Sequence, residues 1–227
     1  MKVLEKAPKQ RTEVRQASLV DAALLLAAQR SPADITTADL AQTVGITQGA
    51  VFRHFASKEA IWLAVLDWVS DALMARLQSA ADAVAEAAPS KSHGAVTPAA
   101  PTAMAGLRAV FLAHVDFVLA YPGVPRLIFQ ELQSPDDTAL KKRVRMLMQR
   151  YRQLLVQLLR QAQNEQKLHP AVDPQAAAIL FIGSVQGLVM QAMISNDVQA
   201  MVAQAPGVFA IVQRGLENLP TVLQGKP

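Results

Sequence analysis

The chain has no cysteine among its 227 residues. That excludes disulfide frameworks and thiolate metal sites, and it weakly favours a reducing compartment. Histidine is scarce and scattered: His54, His93, His114 and His169 lie in separate segments, and no two of them have the His-x-x-x-His spacing of a helical zinc site. Glu165 and His169 share a helical spacing, but Pro170 follows and no third ligand is evident, so no metal and no cofactor is expected. There is no Gly-x-Ser-x-Gly motif. No stretch alternates polar and apolar residues with the period of a strand, so no glycine-rich phosphate loop can follow one. An enzyme is therefore not expected. The first residues, Met1 to Pro8, carry no apolar run suited to a signal peptide, and a cytoplasmic location is expected. Charge is also missing in one place, since no charged residue lies between Asp173 and Asp197.

What is present is apolar and helical. Hydrophobic residues make up 52% of the chain and the mean hydropathy is +0.20, enough for a core and an additional buried interface. Apolar residues recur with the 3.6-residue period of helices: Leu19, Val20, Ala23, Leu24 and Ala27; Ile61, Val65, Trp68 and Ala72; Leu107, Val110, Phe111 and His114; Val144, Leu147, Met148, Tyr151, Leu155 and Leu158. The predicted class is all-α. Residues 1 to 10 read as a basic arm, and 87 to 102, with three prolines and a glycine, as a loop. Predicted helices then cover about 125–133, from Ser134-Pro135 to about 166, 173–195 and 206–223. The net charge is +4. Residues 1–58 hold eight Lys or Arg against five acids, whereas 138–170 hold eight against Glu165 alone. The second excess is read as the solvated face of a long helix, with attraction of an anionic ligand as the alternative.

The most informative stretch is Thr36 to Trp68. Thr36 with Asp39 three residues on makes a capping-box pair. Leu40, Ala41 and Val44 give the first short helix an apolar face. Gly45 stands where the chain must turn. Thr47 can cap a second helix, in which Val51 and Phe55 share the buried face and Gln48, Gly49, Ala50, Arg53 and His54 face outward. Ser57 then caps a third helix with Lys58 in its first turn. This is the layout of a helix-turn-helix, whose second helix enters the DNA major groove.

Gly45-Ile46-Thr47-Gln48-Gly49-Ala50-Val51-Phe52-Arg53-His54-Phe55, then Ser57-Lys58-Glu59-Ala60, resembles the TetR family of transcriptional repressors. Val20-Asp21-Ala22-Ala23-Leu24 resembles that family's first helix. The resemblance covers roughly residues 11 to 70. Two positions depart from the pattern. Ser31-Pro32 replaces a Gly-aromatic pair, and Phe52 stands where a tyrosine hydroxyl often meets a phosphate.

The resemblance implies an N-terminal helix-turn-helix domain (1–56), a C-terminal helical ligand-binding and dimerisation domain (57–227), and a dimeric repressor released from DNA by a small molecule. Its expected partners are a palindromic double-stranded operator, a second copy of the chain and an unidentified effector. Thr47, Gln48 and Arg53 are the expected base readers. Thr36, Thr37, His54 and Lys58 are the expected phosphate contacts. Gly49, Ala50 and Phe52 complete that surface. Phe111, His114, Phe117, Tyr121, Phe129, Met148 and Tyr151 are pocket candidates, though at helical spacing they also read as plain core. Ile179, Ile182, Gly183, Gln186, Gly187 and Met190 are the expected dimer face. That apolar helix is long enough to span a bilayer. Gln186 and Gln191, and the absence of flanking Lys or Arg, argue for protein burial and against a membrane. The alternative is a helical ligand-binding or protein-interaction protein with weak or no specific DNA binding.

Overall fold

The computed structural model describes residues 12–86 and 102–217. The basic arm, most of the loop, His93 and residues 218–223 of the last predicted helix lie outside them. Nine α-helices and one 3₁₀ turn make up the described chain: α1 (Thr12–Gln29), the turn Pro32–Asp34, α2 (Thr37–Thr43), α3 (Gln48–Val51), α4 (Lys58–Glu86), α5 (Ala103–Ala120), α6 (Gly123–Gln133), α7 (Ala139–Asn164), α8 (Pro174–Ser195) and α9 (Val198–Leu216). The only β-type pairing among the described residues is a single bridge between Leu168 and Glu217. The all-α class therefore holds.

Contacts divide the helices into two compact units. The first holds residues up to Ser70 together with Tyr121–Val144, and the second holds Asp71–Ala120 and the residues from Arg145 onward. The boundary expected after residue 56 is one of task. Packing divides the chain differently, because α6 and the first part of α4 compact with the helix-turn-helix.

Gly123 explains how α6 joins the first unit. A Cβ there would lie 2.5 Å from the Ala27 carbonyl carbon and 2.6 Å from the Ala28 nitrogen, so only glycine lets α6 rest directly on the α1 backbone. Trp68 of α4 meets Tyr121 edge-on at 5.0 Å in the same unit.

The second unit is built on aromatic packing. Phe111, Tyr151, Phe181 and Phe209 are each at most 1% exposed. Their rings meet edge-on or tilted, with Phe111–Phe181 at 5.2 Å and Phe111–Phe209 at 5.4 Å. α5 and α8 are each long and apolar enough to cross a membrane, yet 50% and 44% of those windows are buried inside the chain.

Three boundaries correct the sequence reading. α3 is one turn long, because the amides of Arg53 and His54 bond three residues back, to the carbonyls of Ala50 and Val51, and tighten the chain out of the α-helix. α7 starts at Ala139 and Pro135 lies in the turn before it, since Thr138 Oγ1 accepts from Lys141 N (2.9 Å) and sets the start. α9 begins at Val198, capped by Asp197 (Ala200 N donates to Oδ1, 2.9 Å), and runs through Pro206, where the sequence placed a helix start. Asn196, in the left-handed conformation (φ 55°), turns the chain between α8 and α9.

Candidate nucleic-acid interface

The turn between α2 and α3 is fixed at both ends by polar side chains. At the start of α2, Thr36 Oγ1 accepts from the Asp39 amide (3.2 Å). The Asp39 carboxylate in turn accepts from the Thr36 amide (2.7 Å), forming a reciprocal capping box. Arg30 adds an ion pair to Asp39 at 2.9 Å. The Thr36 amide, the Thr36 hydroxyl and the Arg30 guanidinium hold the Asp39 carboxyl down at about 2.

At the end of α2, Gly45 takes φ +68°. Its amide bonds Gln42 O, and Ile46 N bonds Ala41 O at 2.9 Å. This is a Schellman closure, which favours glycine because a Cβ would be strained there. Thr47 Oγ1 then accepts from Ala50 N (3.2 Å) and starts α3. Val51 and Phe55 turn inward as expected, and Gln16 of α1 donates to the carbonyl of His54 (2.8 Å), tying down the end of the turn.

The arrangement assigns the expected contact residues different tasks. Thr36 and Thr47 spend their hydroxyls as helix caps. Lys58 Nζ donates to Ala33 O at 2.9 Å, which ties it to the turn after α1. Thr37 is only 9% exposed, and Gln48 Nε2 donates to its Oγ1 at 2.8 Å. His54 is partly exposed, but its Nδ1 is buried and has no hydrogen-bond partner. Arg53, Gly49 and Phe52 are exposed and Ala50 half-buried. Phe52 shows about half of its surface (49%) to solvent. A Cβ at Gly49 would meet nothing within 4 Å, so this surface is flat there and open to a close neighbour.

The pocket candidates separate. Tyr121 and Phe129 belong to the first unit, and Phe111, His114, Phe117, Met148 and Tyr151 to the second. Phe111, Phe117 and Tyr151 are core, and Met148 is half-buried. His114 Nδ1 and Tyr151 Oη are 3.1 Å apart, the one polar pair within that aromatic cluster. Desolvation lowers His114 to about 4 and pushes the Tyr151 hydroxyl up, so both are neutral near pH 7. Sequence reasoning placed both residues on apolar faces. The pairing of helices 37 residues apart was not legible there.

On the expected dimer face, Ile179 and Met190 are exposed, Gly183 and Gly187 face open space, and Gln186 is half-buried. Ile182 is the exception. It is 8% exposed and points into the unit's own core. The same face also carries Leu180, Met193, Ile194 and Ile211, which the sequence reading did not single out.

The basic excess of α7 is largely spent within the chain. Lys142 pairs with Asp137 (3.7 Å), Arg143 with Asp67 (3.3 Å) and Arg150 with Asp71 (2.9 Å). Lys141 donates to Ser134 O (2.7 Å). No His, Asp or Glu cluster among the described residues has metal-site geometry.

Residues 19–65 match the sequence model for bacterial regulatory proteins of the tetR family. Residues 130–205 match that of the tetracyclin repressor-like C-terminal domain. The nucleoid occlusion factor SlmA of Vibrio vulnificus is 25% identical over 182 residues, covering 80% of this chain and 83% of that protein. Among solved structures, FadR of Bacillus subtilis in complex with stearoyl-CoA aligns with TM-score 0.71 at 16% identity, over 88% of this chain and 98% of that one. The ketosteroid regulator KstR2 of Mycobacterium tuberculosis aligns with TM-score 0.62 at 18% identity, over 96% and 100%. These structural likenesses concern the fold.

Proposed function

The chain belongs to the tetR family of bacterial regulatory proteins, and on that premise we propose that it is a one-component repressor that binds a palindromic operator as a homodimer and is released by a small molecule. It is a DNA-binding regulator. The relatives it resembles are regulators or nucleoid occlusion factors.

The observation that carries the DNA reading is the surface of α3 and its following turn. Caps at Thr36, Gly45 and Thr47 hold it in one shape, and Arg53, Gly49 and Phe52 stand outward on it. On this reading Arg53 and Gln48 contact base edges. Thr36, Thr37, Thr47 and Lys58 position the backbone that carries them, and Ala50, Phe52 and His54 meet the groove wall.

One such reader spans only a few base pairs, so the chain works in pairs. A two-fold dimer presents two α3 segments about 34–36 Å apart, on two half-sites of one DNA face. The exposed apolar face of α8 and α9 supports that pairing. Six of the eleven large apolar side chains exposed among the described residues lie there. Gly183, Gly187, Gly207 and Gly215 leave room for close approach of a second copy.

Residues 1–56 then carry DNA recognition, and 57–227 effector binding and dimerisation. The effector is an apolar or amphipathic molecule held in the second unit near His114 and Tyr151, the polar pair available to orient it. FadR, solved with stearoyl-CoA, and KstR2, a ketosteroid regulator, are in keeping with such a ligand. An effector that prefers a conformation misfitting DNA lowers operator affinity by linkage.

The test is selection of a randomised duplex library by the full-length protein, followed by titration over salt. The expected result is a palindromic motif whose affinity falls steeply with salt while a preference of roughly a thousandfold or more over random DNA is kept. Enrichment of no motif overturns the proposal.

A further inference from the structure

Thr37 has a place that neither capping nor phosphate contact explains. It is the first residue of α2, but the capping hydroxyl belongs to its neighbour Thr36. Among the described residues no other Ser, Thr, Asn, Gln or charged side chain is as deeply buried. A buried hydroxyl needs a partner, and the partner here is Gln48 Nε2 at 2.8 Å, eleven residues on and across the turn. Gln48 is exposed at the first position of α3, in front of the surface assigned to DNA.

We propose that Thr37 is a positioning residue for base reading: it holds the Gln48 amide in one orientation, so that Gln48 selects adenine in each half-site. The inference rests on the DNA-binding reading above. The chemistry is that of a primary amide with one N–H committed. Gln48 keeps Oε1 as an acceptor and its second N–H as a donor. That pair complements the N6 amino group and N7 of adenine in the major groove. An untethered glutamine samples several rotamers and both faces of its amide, and it pays to order them on binding. The buried Thr37 oxygen sets that order before DNA arrives, which is how a first shell gains precision from the residue behind it. The expected phosphate contact at Thr37 is thereby replaced by an indirect role in specificity.

The library selection described above tests this with the full-length chain and its variants Gln48→Ala, Thr37→Val, Thr37→Ala and Thr37→Ser. Gln48→Ala should erase an adenine preference at one position per half-site. Thr37→Val, which keeps the shape and removes the hydroxyl, should weaken the preference at that same position by about fivefold or more. All other positions should keep theirs. Thr37→Ala should do the same if the valine chain does not fold, and Thr37→Ser should restore the wild-type pattern. A merely structural role would lower affinity equally at every position, and that result overturns the proposal. So does an unchanged preference in Thr37→Val, or a Gln48→Ala motif identical to wild type. If the wild-type chain enriches no motif at all, the failure lies with the DNA reading itself and is recognised as such before any variant is made.

Discussion

The two compact units spend their residues differently. In the first, short helices are held by polar side chains acting over three or four residues: Thr36 with Asp39, Thr47 with Ala50, Ser57 with Ala60. In the second, long helices are held by apolar side chains far apart in sequence, such as Phe111 with Phe181 and Phe209, and the His114–Tyr151 polar pair interrupts them. A caps-and-turns surface keeps a fixed outline when it meets a rigid partner. The aromatic core holds the His114–Tyr151 pair, and α8 and α9 carry an exposed apolar face; on the proposed function these serve the effector and a second copy of the chain. The difference teaches that one chain uses two kinds of cohesion, local and polar in one unit, long-range and apolar in the other.

Mutations can break or sharpen this contrast. The largest effect is expected for Phe181→Ala, which empties the centre of the aromatic cluster and should cost about 3–5 kcal/mol in denaturant unfolding. A loss under about 1 kcal/mol would mean that the second unit does not depend on that cluster. Next comes Gly123→Ala. Its Cβ would collide with the α1 backbone, and roughly 1–3 kcal/mol should be lost as α6 is displaced. An unchanged melting temperature would detach α6 from the first unit. Thr36→Ala removes one half of the capping box and should cost about 1 kcal/mol, a loss confined to the first unit in hydrogen exchange.

The polar pair gives a pH signature. His114 lies at about 4 when folded, against 6.5 as its ordinary value, so the unfolded chain binds more protons between those limits. The stability linked to its neutral form is complete above about 6.5 and is lost as pH falls toward 4. The loss should be about 1 kcal/mol between pH 7 and 5.5. His114→Phe should flatten that segment, and an unaltered slope would show that another group titrates there. The smallest effect belongs to Asp39, whose carboxyl is held at about 2 against 3.8. Its contribution is present above about 3.8 and is lost only as pH falls below that toward 2. Asp39→Asn should remove that dependence in an acid titration followed by circular dichroism.

Much of the first unit could be read from the sequence because its signals are local. A threonine three residues before an aspartate, a glycine at a helix end and a threonine before a small-residue turn each act on their own backbone, and each is found in the expected role. Even there the sequence overestimated α3 and did not show the bonds from Gln48 to Thr37 and from Lys58 to Ala33, since a side chain's partner across a turn is not written in its spacing. The all-helical class and the apolar stripes of α1, α4, α5 and α7 were likewise fixed by periodicity. Which stripe packs on which was decided only in three dimensions. The assignment of α6 to the first unit, the start of α9 before Pro206, the inward turn of Ile182 and the meeting of His114 with Tyr151 all depend on packing between distant segments. Apolar burial is non-directional, so a stripe states that a face must be covered and leaves open what covers it.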